Sequence, residues 1–202
     1  MTIIQILAIC GMVSPIIYTI MWILGGILDP EYSHVRQDVS SLIAVKAPNK
    51  KLLDKFIITS SILLLIFYLG LFWGINNGTG SIIGPILFTI SGLLGVLVAL
   101  FFPLDTGGEM VTTRGKLHLI LISLSGILTI AGMLALWFDL AVDTVWGTFA
   151  TFSLISAILS LILVIATSFA TKTNYLGLIE RLMVSTYQIY YFVFALMVFL
   201  TN

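Results

Sequence analysis

One stretch of the sequence decides the fold, and it reads FIITSSILLLIFYLGLFWGI (56–75), NNGTG (76–80) and SIIGPILFTISGLLGVLVALFFPL (81–104). It contains no charged residue and is far longer than the about 20 apolar residues that one membrane-spanning helix needs. Asparagine and glycine residues at 76–80 form a turn signal that divides it. Lipid offers no hydrogen-bond partner to an open strand edge, so both halves are predicted to be helices. The stretch therefore predicts two successive membrane spans, 56–75 and 81–104.

Four other stretches are equally apolar, and they lie at 3–28, 117–138, 145–169 and 182–200. Together the stretches predict an all-α polytopic membrane protein, a six-transmembrane-helix bundle forming one integral membrane domain over residues 1–202. The composition excludes a soluble fold, because only 9% of the residues are charged, against roughly 25% in soluble domains. Basic and acidic residues number nine each, so no basic excess indicates nucleic acid as a partner.

The nine lysine and arginine residues all fall in three connecting segments, 29–55, 103–116 and 170–181. The other two connections and both ends of the chain have none. Short cytoplasmic loops carry an excess of Lys and Arg. The pattern therefore predicts a multi-pass protein of the cell membrane, with these three segments in the cytoplasm and both termini outside. The first span lacks the basic start of a signal peptide and is too long for one, so it is expected to be retained.

The first basic segment carries signals for a helix of its own. Asp29-Pro30-Glu31 is typical of an N-cap, a proline at the first helical position and an acidic first turn. Apolar and polar residues then follow two separate stripes at helical spacing: Val35, Val39, Leu42 and Ile43 on one, and Glu31, His34, Asp38 and Ser41 on the other. We predict a short interfacial amphipathic helix from Pro30 to about Val45.

Most charged residues and both histidines gather where the three basic segments meet the spans, and no formally charged residue lies at the middle of a span. The lack of a membrane-centre charge weighs against proton pumps and voltage sensors. Arg114 is four residues before His118, which places both on one face at the start of a helix. A helix N-terminus with two cationic side chains favours an anion, such as a phosphate or a carboxylate.

The favoured ligand is therefore an anionic or lipid head group, bound in a polar pocket at the cytoplasmic ends of the helices, and membrane lipids are the expected partners. The cationic contacts would come from four residues, Arg36, Arg114, His118 and Arg181. Three acidic residues would orient them: Asp38, Asp105 and Glu180.

Three other hypotheses about the function stay open. His34, His118 and either Asp38 or Asp105 would supply the three protein ligands of a catalytic zinc, as in a metal-assisted lipid hydrolase or transferase. Ser40 and Ser41 are candidate nucleophiles beside His34, although the chain has no Gly-x-Ser-x-Gly elbow. A small-molecule transporter, ranked last, would use a neutral path of Ser and Thr with Tyr18 and Gln188.

Several short motifs occur in a fixed order: Pro30-x-Tyr32-x-x-x-Arg36-x-x-x-Ser40-x-Leu42, then Pro48, Phe102-Pro103-x-Asp105, His118 and Gly177-Leu178-x-Glu180-Arg181. In these residues the chain resembles a prokaryotic family of six-span proteins known as domain of unknown function 998. The resemblance covers essentially the whole chain and implies a six-helix integral membrane protein, without an established reaction or substrate. The Ser40, Pro48, Phe102-Pro103 and His118 pattern also looks distantly like the Frag1/DRAM/Sfk1 membrane family, which is associated with lipid handling.

Overall fold

The computed structural model describes residues 1–106 and 110–202, and every regular element in those residues is helical. Six long helices account for most of the chain: α1 (Ile3–Leu28), α2 (Lys50–Gly74), α3 (Ile83–Phe101), α4 (Thr113–Leu140), α5 (Gly147–Ala170) and α6 (Leu176–Thr201). All six are long and apolar enough to cross a membrane. The predicted all-α, six-span architecture is confirmed.

The helices begin earlier than the apolar spans where the chain is basic. At α4, the Thr112 side chain accepts a hydrogen bond from the Gly115 backbone N–H and so caps the helix. At α6, the helix begins at Leu176, six residues before the predicted span. Glu180 and Arg181 therefore lie within the first turns of α6, and their side chains project from a fixed helical backbone.

The six helices close into a ring. Each helix packs against its neighbours in the chain, α6 packs back against α1, and α2 also touches α6 across the centre. Aromatic side chains fill the interior, among them Tyr68, Phe88, Tyr190 and Phe194, none of which is measurably exposed. Large apolar side chains such as Leu93, Ile127 and Ile162 point outward. An apolar exterior around a packed interior is what a membrane-spanning bundle requires.

Two ends of the ring can now be defined. The loop-1 face comprises loop 1 (29–49), the described parts of loop 3 (102–106 and 110–112) and loop 5 (171–175), together with the helix turns that adjoin them. The opposite end comprises the two short connections at 75–82 and 141–146 and the two chain ends. The predicted turn at 76–80 lies there, with Asn76, Asn77 and Gly78 at positive φ.

Loop 1 differs from the predicted α-helix between Pro30 and about Val45. The chain instead makes turns that lead into a four-residue 3₁₀ helix, Ser40–Ile43. The carbonyl groups that a continuous helix would use have other partners, because Arg181 binds those of His34 and Gln37. Long-range hydrogen bonds to α6 thus override the local helical pattern. Val39 and Leu42 from the predicted apolar stripe are nevertheless buried, together with Met21 and Leu53.

Candidate functional site

Arg181 is the centre of the loop-1 face. Its side chain is only 7% exposed, and its Nη1 donates hydrogen bonds to the carbonyl oxygens of His34 (2.7 Å), Gln37 (2.9 Å) and Gly177 (2.9 Å). Its Nη2 donates to the Tyr32 hydroxyl. A buried guanidinium with neutral acceptors is stabilised by the number and geometry of its bonds. Arg181 therefore fixes loop 1 on the start of α6.

Two aromatic rings lie against this guanidinium, and the His34 ring packs on both of them. The central carbon of the guanidinium lies 5.3 Å from the ring centroid of Trp22 and 5.4 Å from that of Tyr32, within the range of cation–π attraction. The ring of His34 meets both aromatic rings edge to face. Burial raises the pKa of Tyr32 to about 12, so its phenol stays protonated and donates to the Asp38 carbonyl oxygen at 2.6 Å.

The residues beside Arg181 complete the attachment of loop 1. Glu180 accepts a hydrogen bond from the Val39 backbone N–H at 2.7 Å, and the Leu178 N–H donates to the Val35 carbonyl at 3.0 Å. Gly177 allows the close approach, because a Cβ there would clash with the backbone carbonyls of His34 and Gln37. The Gly-Leu-x-Glu-Arg motif is therefore a docking surface for one backbone segment.

His118 holds loop 1 from the other side of the ring. It is 4% exposed, and its Nδ1 lies 2.6 Å from the Phe102 carbonyl oxygen. Its Nε2 lies 3.2 Å from the Ser40 hydroxyl oxygen. One imidazole thus joins the end of α3, the start of α4 and the 3₁₀ helix of loop 1.

The two remaining acidic candidates make local hydrogen bonds. Asp105 accepts from the Thr112 backbone N–H (2.8 Å) and hydroxyl (2.7 Å), and these bonds lower the pKa of its carboxyl group. Asp38 accepts from the Ser41 backbone N–H at 2.6 Å. Loop 3 also pairs with loop 1 directly, because the Val45 N–H donates to the Leu104 carbonyl at 2.9 Å.

The other basic residues of this face point outward. Within residues 1–106 and 110–202, the one ion pair joins Lys50 and Asp54 at 2.7 Å. Seven side chains are exposed and have no carboxylate partner in that part of the chain: Arg36, Lys46, Lys51, Lys55, Arg114, Lys116 and Lys172. The face therefore presents a surface rich in cations to solvent, while its buried arginine is hydrogen-bonded to neutral carbonyl and hydroxyl groups.

An apolar groove runs beside this positive surface, between the end of α5 and the start of α6. It has a volume of about 440 Å³ and is lined by Ala166, Phe169, Ala170, Thr173, Tyr175, Leu178 and Ile179. Arg36 follows Val35, whose carbonyl binds the Leu178 N–H. Lys172 lies between the lining residues Ala170 and Thr173. Two exposed cations thus directly follow or precede, along the chain, residues that line the groove or bind its lining.

A family model described as "Protein of unknown function (DUF998)" matches residues 12–197. The chain belongs to the DUF998 family. No curated protein and no solved structure matches it. In this DUF998 protein, the short motifs that carry the family resemblance all lie on the loop-1 face. The family match agrees with the multi-pass membrane architecture, and its description names no reaction or ligand.

The candidate metal ligands of this DUF998 protein do not form a cluster. In the described residues, no group of three or more His, Cys, Asp or Glu side chains lies close enough to hold one metal ion. His34 packs against Trp22 and Tyr32, whereas His118 contacts Phe102 and Ser40. The residues that the sequence offered as zinc ligands therefore make separate contacts and do not come together as a group of three.

The structure brings some of the predicted ligand-binding residues into contact with loop 1 and leaves others in solvent. His118, Glu180 and Arg181 all bind loop 1, whereas Arg36 and Arg114 are exposed. Sequence reasoning missed Trp22 and Tyr32, although Tyr32 belongs to the first motif. It also placed Ser40 beside His34 and not beside His118. The 78 positions between Ser40 and His118 carry no local signal for that pairing.

Proposed function

We propose that this protein binds an anionic membrane lipid at the loop-1 face, with an acyl chain in the α5–α6 groove and the head group between Arg36 and Lys172. The observation that carries the proposal is an apolar groove whose lining residues adjoin two exposed cations along the chain and through the Leu178–Val35 hydrogen bond. An acyl chain matches an apolar groove because burying its methylenes is favourable. A phosphate or carboxylate head group matches the cations that flank the groove.

The proposal modifies the pocket expected from the sequence. Arg181 and Glu180 position loop 1, and His118 holds its far side, so these three residues support the site without facing the head group. Arg114 and Lys116, exposed on the first turn of α4, add to the positive potential of the face. That potential also supports a cytoplasmic orientation of the loop-1 face, because cytoplasmic loops are enriched in Lys and Arg.

The test compares two double variants with the same loss of charge. Arg36→Gln with Lys172→Gln removes the cations beside the groove. Lys51→Gln with Lys55→Gln removes two exposed cations of α2, which packs against α1 and α3. Native mass spectrometry and thermal unfolding are measured with phosphatidylglycerol and with phosphatidylcholine. At about 1 kcal/mol per cation, the first variant should bind phosphatidylglycerol about 30-fold more weakly.

The control variant should keep most of the binding. Equal loss in both variants would show a diffuse charge effect and contradict a site at the groove. The absence of any preference of the wild type for the anionic lipid would contradict the proposal altogether. Leu178→Trp, which places an indole in the groove, should weaken the binding of both lipids alike because it blocks the acyl chain.

A further inference from the structure

A serine and a histidine that are far apart in sequence share a hydrogen bond on the loop-1 face. The Ser40 Oγ lies 3.2 Å from the His118 Nε2. A hydroxyl within hydrogen-bond reach of an imidazole is the arrangement that activates serine as a nucleophile. This pair is separate from the α5–α6 groove, since neither residue lines it.

The other side of the imidazole fixes the direction of this bond. The Phe102 carbonyl oxygen, 2.6 Å from Nδ1, can only accept a hydrogen bond. In the neutral ring, Nδ1 therefore carries the hydrogen and Nε2 carries the lone pair. Ser40 must then donate its hydroxyl hydrogen to Nε2. The carbonyl orients the ring and selects its tautomer, which is the positioning role of the carboxylate in a Ser-His-Asp triad.

The surrounding structure holds the two groups differently. His118 is 4% exposed on the second turn of α4, so the base is shielded from water. Ser40 is half-buried at the start of the 3₁₀ helix, and its neighbour Val39 is fixed by the bond from its N–H to Glu180. Ser41 makes no such contact with an imidazole in the described residues, and its backbone N–H binds Asp38. The nucleophile is thus pre-positioned beside its base.

The depth of the pair indicates the class of substrate. His118 lies four residues after Arg114, about one helical turn or roughly 6 Å further into the bundle. Arg114 is exposed at the polar surface. This offset from an exposed arginine matches the interfacial layer between the charged head groups and the hydrocarbon core, where the ester bonds of glycerolipids are found.

We propose that Ser40 is the nucleophile and His118 the general base of an acyl-transfer reaction on a carboxylic ester of a membrane lipid. The Ser40 Oγ forms a bond to the ester carbonyl carbon while its proton passes to the His118 Nε2. The bond from that carbon to the lipid alkoxide breaks, and the alcohol leaves with the proton from Nε2. Water then attacks the acyl-serine, giving a proton to Nε2 that returns to the Ser40 Oγ as the fatty acid departs.

The test is labelling of the purified full-length protein with a fluorophosphonate that carries an alkyl chain, followed by peptide mass spectrometry. We expect one adduct, on Ser40. Ser40→Ala should abolish the adduct, whereas the matched control Ser41→Ala should keep it. His118→Gln, which removes the base but retains an amide at that position, should slow labelling at least about 100-fold. The labelling rate of the wild type should rise with pH as the imidazole loses its proton.

Several results would overturn the proposal. They are the absence of an adduct on the wild type, equal labelling of Ser40 and Ser41, or undiminished labelling of His118→Gln. If His118→Gln does not fold, as judged by gel filtration in detergent, a pH-independent labelling rate of the wild type serves as the overturning result. A purely structural hydrogen bond predicts no adduct. The proposal does not depend on lipid binding at the groove, because neither Ser40 nor His118 lines it. Lys51→Gln with Lys55→Gln, which replaces two exposed cations outside both sites, should leave fluorophosphonate labelling unchanged.

Discussion

Arg181 and His118 hold the loop-1 face together from within the helix ring, whereas two aspartates hold the opposite end from its surface. At the opposite end, Asp143 accepts hydrogen bonds from the backbone N–H groups of Val145 and Trp146, each at 2.8 Å. Asp139 accepts from the Ser81 N–H at 2.9 Å. These bonds cap short turns, and the longest connection at that end spans residues 75–82.

The difference shows where the fold uses buried polar side chains. Short turns between adjacent helices need only local capping, because few backbone groups are left without partners. Loop 1 has 21 residues between α1 and α2, little regular structure, and many carbonyls to satisfy. Buried Arg and His side chains supply the missing donors. Such an arrangement costs desolvation, and it places the Ser40–His118 hydrogen bond and the exposed cations at one end of the ring.

Replacing the central arginine should have the largest effect. Arg181→Met leaves two loop-1 carbonyls and the Tyr32 hydroxyl without their donor, and hydrogen bonds to charged groups are worth about 1.5–3 kcal/mol each. We expect a loss of about 3 kcal/mol or more of stability, measured by thermal unfolding in detergent. Trypsin should also cleave loop 1 rapidly after Arg36 or Lys46. Arg181→Lys should not rescue the variant, because an ammonium cannot replace the planar fork.

A pair of glycine variants should give the next largest effect. In Gly177→Ala the new methyl group meets the carbonyls of His34 and Gln37, which should cost about 1–3 kcal/mol through strain. Gly95→Ala is the matched control, because a Cβ at that position on α3 meets nothing within 4 Å. The control should leave thermal stability unchanged or slightly higher. Equal destabilisation by both variants would contradict the docking of loop 1 on α6.

Removing a cap at the opposite end should have a smaller effect and a different signature. Asp143→Ala takes away the acceptor of two backbone N–H groups. The melting temperature should fall less than for Arg181→Met, and tryptic cleavage of loop 1 should stay at the wild-type rate. Those bonds lower the pKa of Asp143. The contribution of Asp143 to stability should therefore be full above pH 3.8, its ordinary pKa, and should disappear as the pH falls through the lowered pKa.

The smallest effect should be a pH dependence confined to the loop-1 face. Burial, and then the positive charge of Arg181, lower the pKa of His34 below its ordinary value of 6.5. The unfolded chain therefore takes up a proton at higher pH than the folded chain. The contribution of His34 to the stability of the fold is therefore full above pH 6.5 and declines as the pH falls below that value. Tryptic cleavage of loop 1 should increase there, and His34→Gln should remove the increase. A pH-independent cleavage rate in the wild type would contradict the role of this partly buried ring.

The sequence predicted the number of spans, their order and which end of the bundle is basic. Apolar runs of spanning length leave the backbone no option but helices, and every Lys and Arg falls in three connections. The turn at 76–80 was also predictable, because Asn and Gly tolerate positive φ. The helix predicted over Pro30 to Val45 failed because its signals were local, whereas the partners of its carbonyls lie on α6.

The sequence by itself therefore determined the surroundings that suit each segment. Six long apolar runs are suited to lipid, and three basic connections are suited to its polar boundary. Only the tertiary structure decided the partners, since hydrogen bonds at 2.7 Å and 3.2 Å join residues 147 and 78 positions apart. It placed the Ser40 hydroxyl against the His118 imidazole, and it turned Arg181 inward toward loop 1. Hydropathy is a sum over neighbouring residues, whereas a hydrogen bond requires two particular atoms to meet, and that meeting depends on how the whole ring closes.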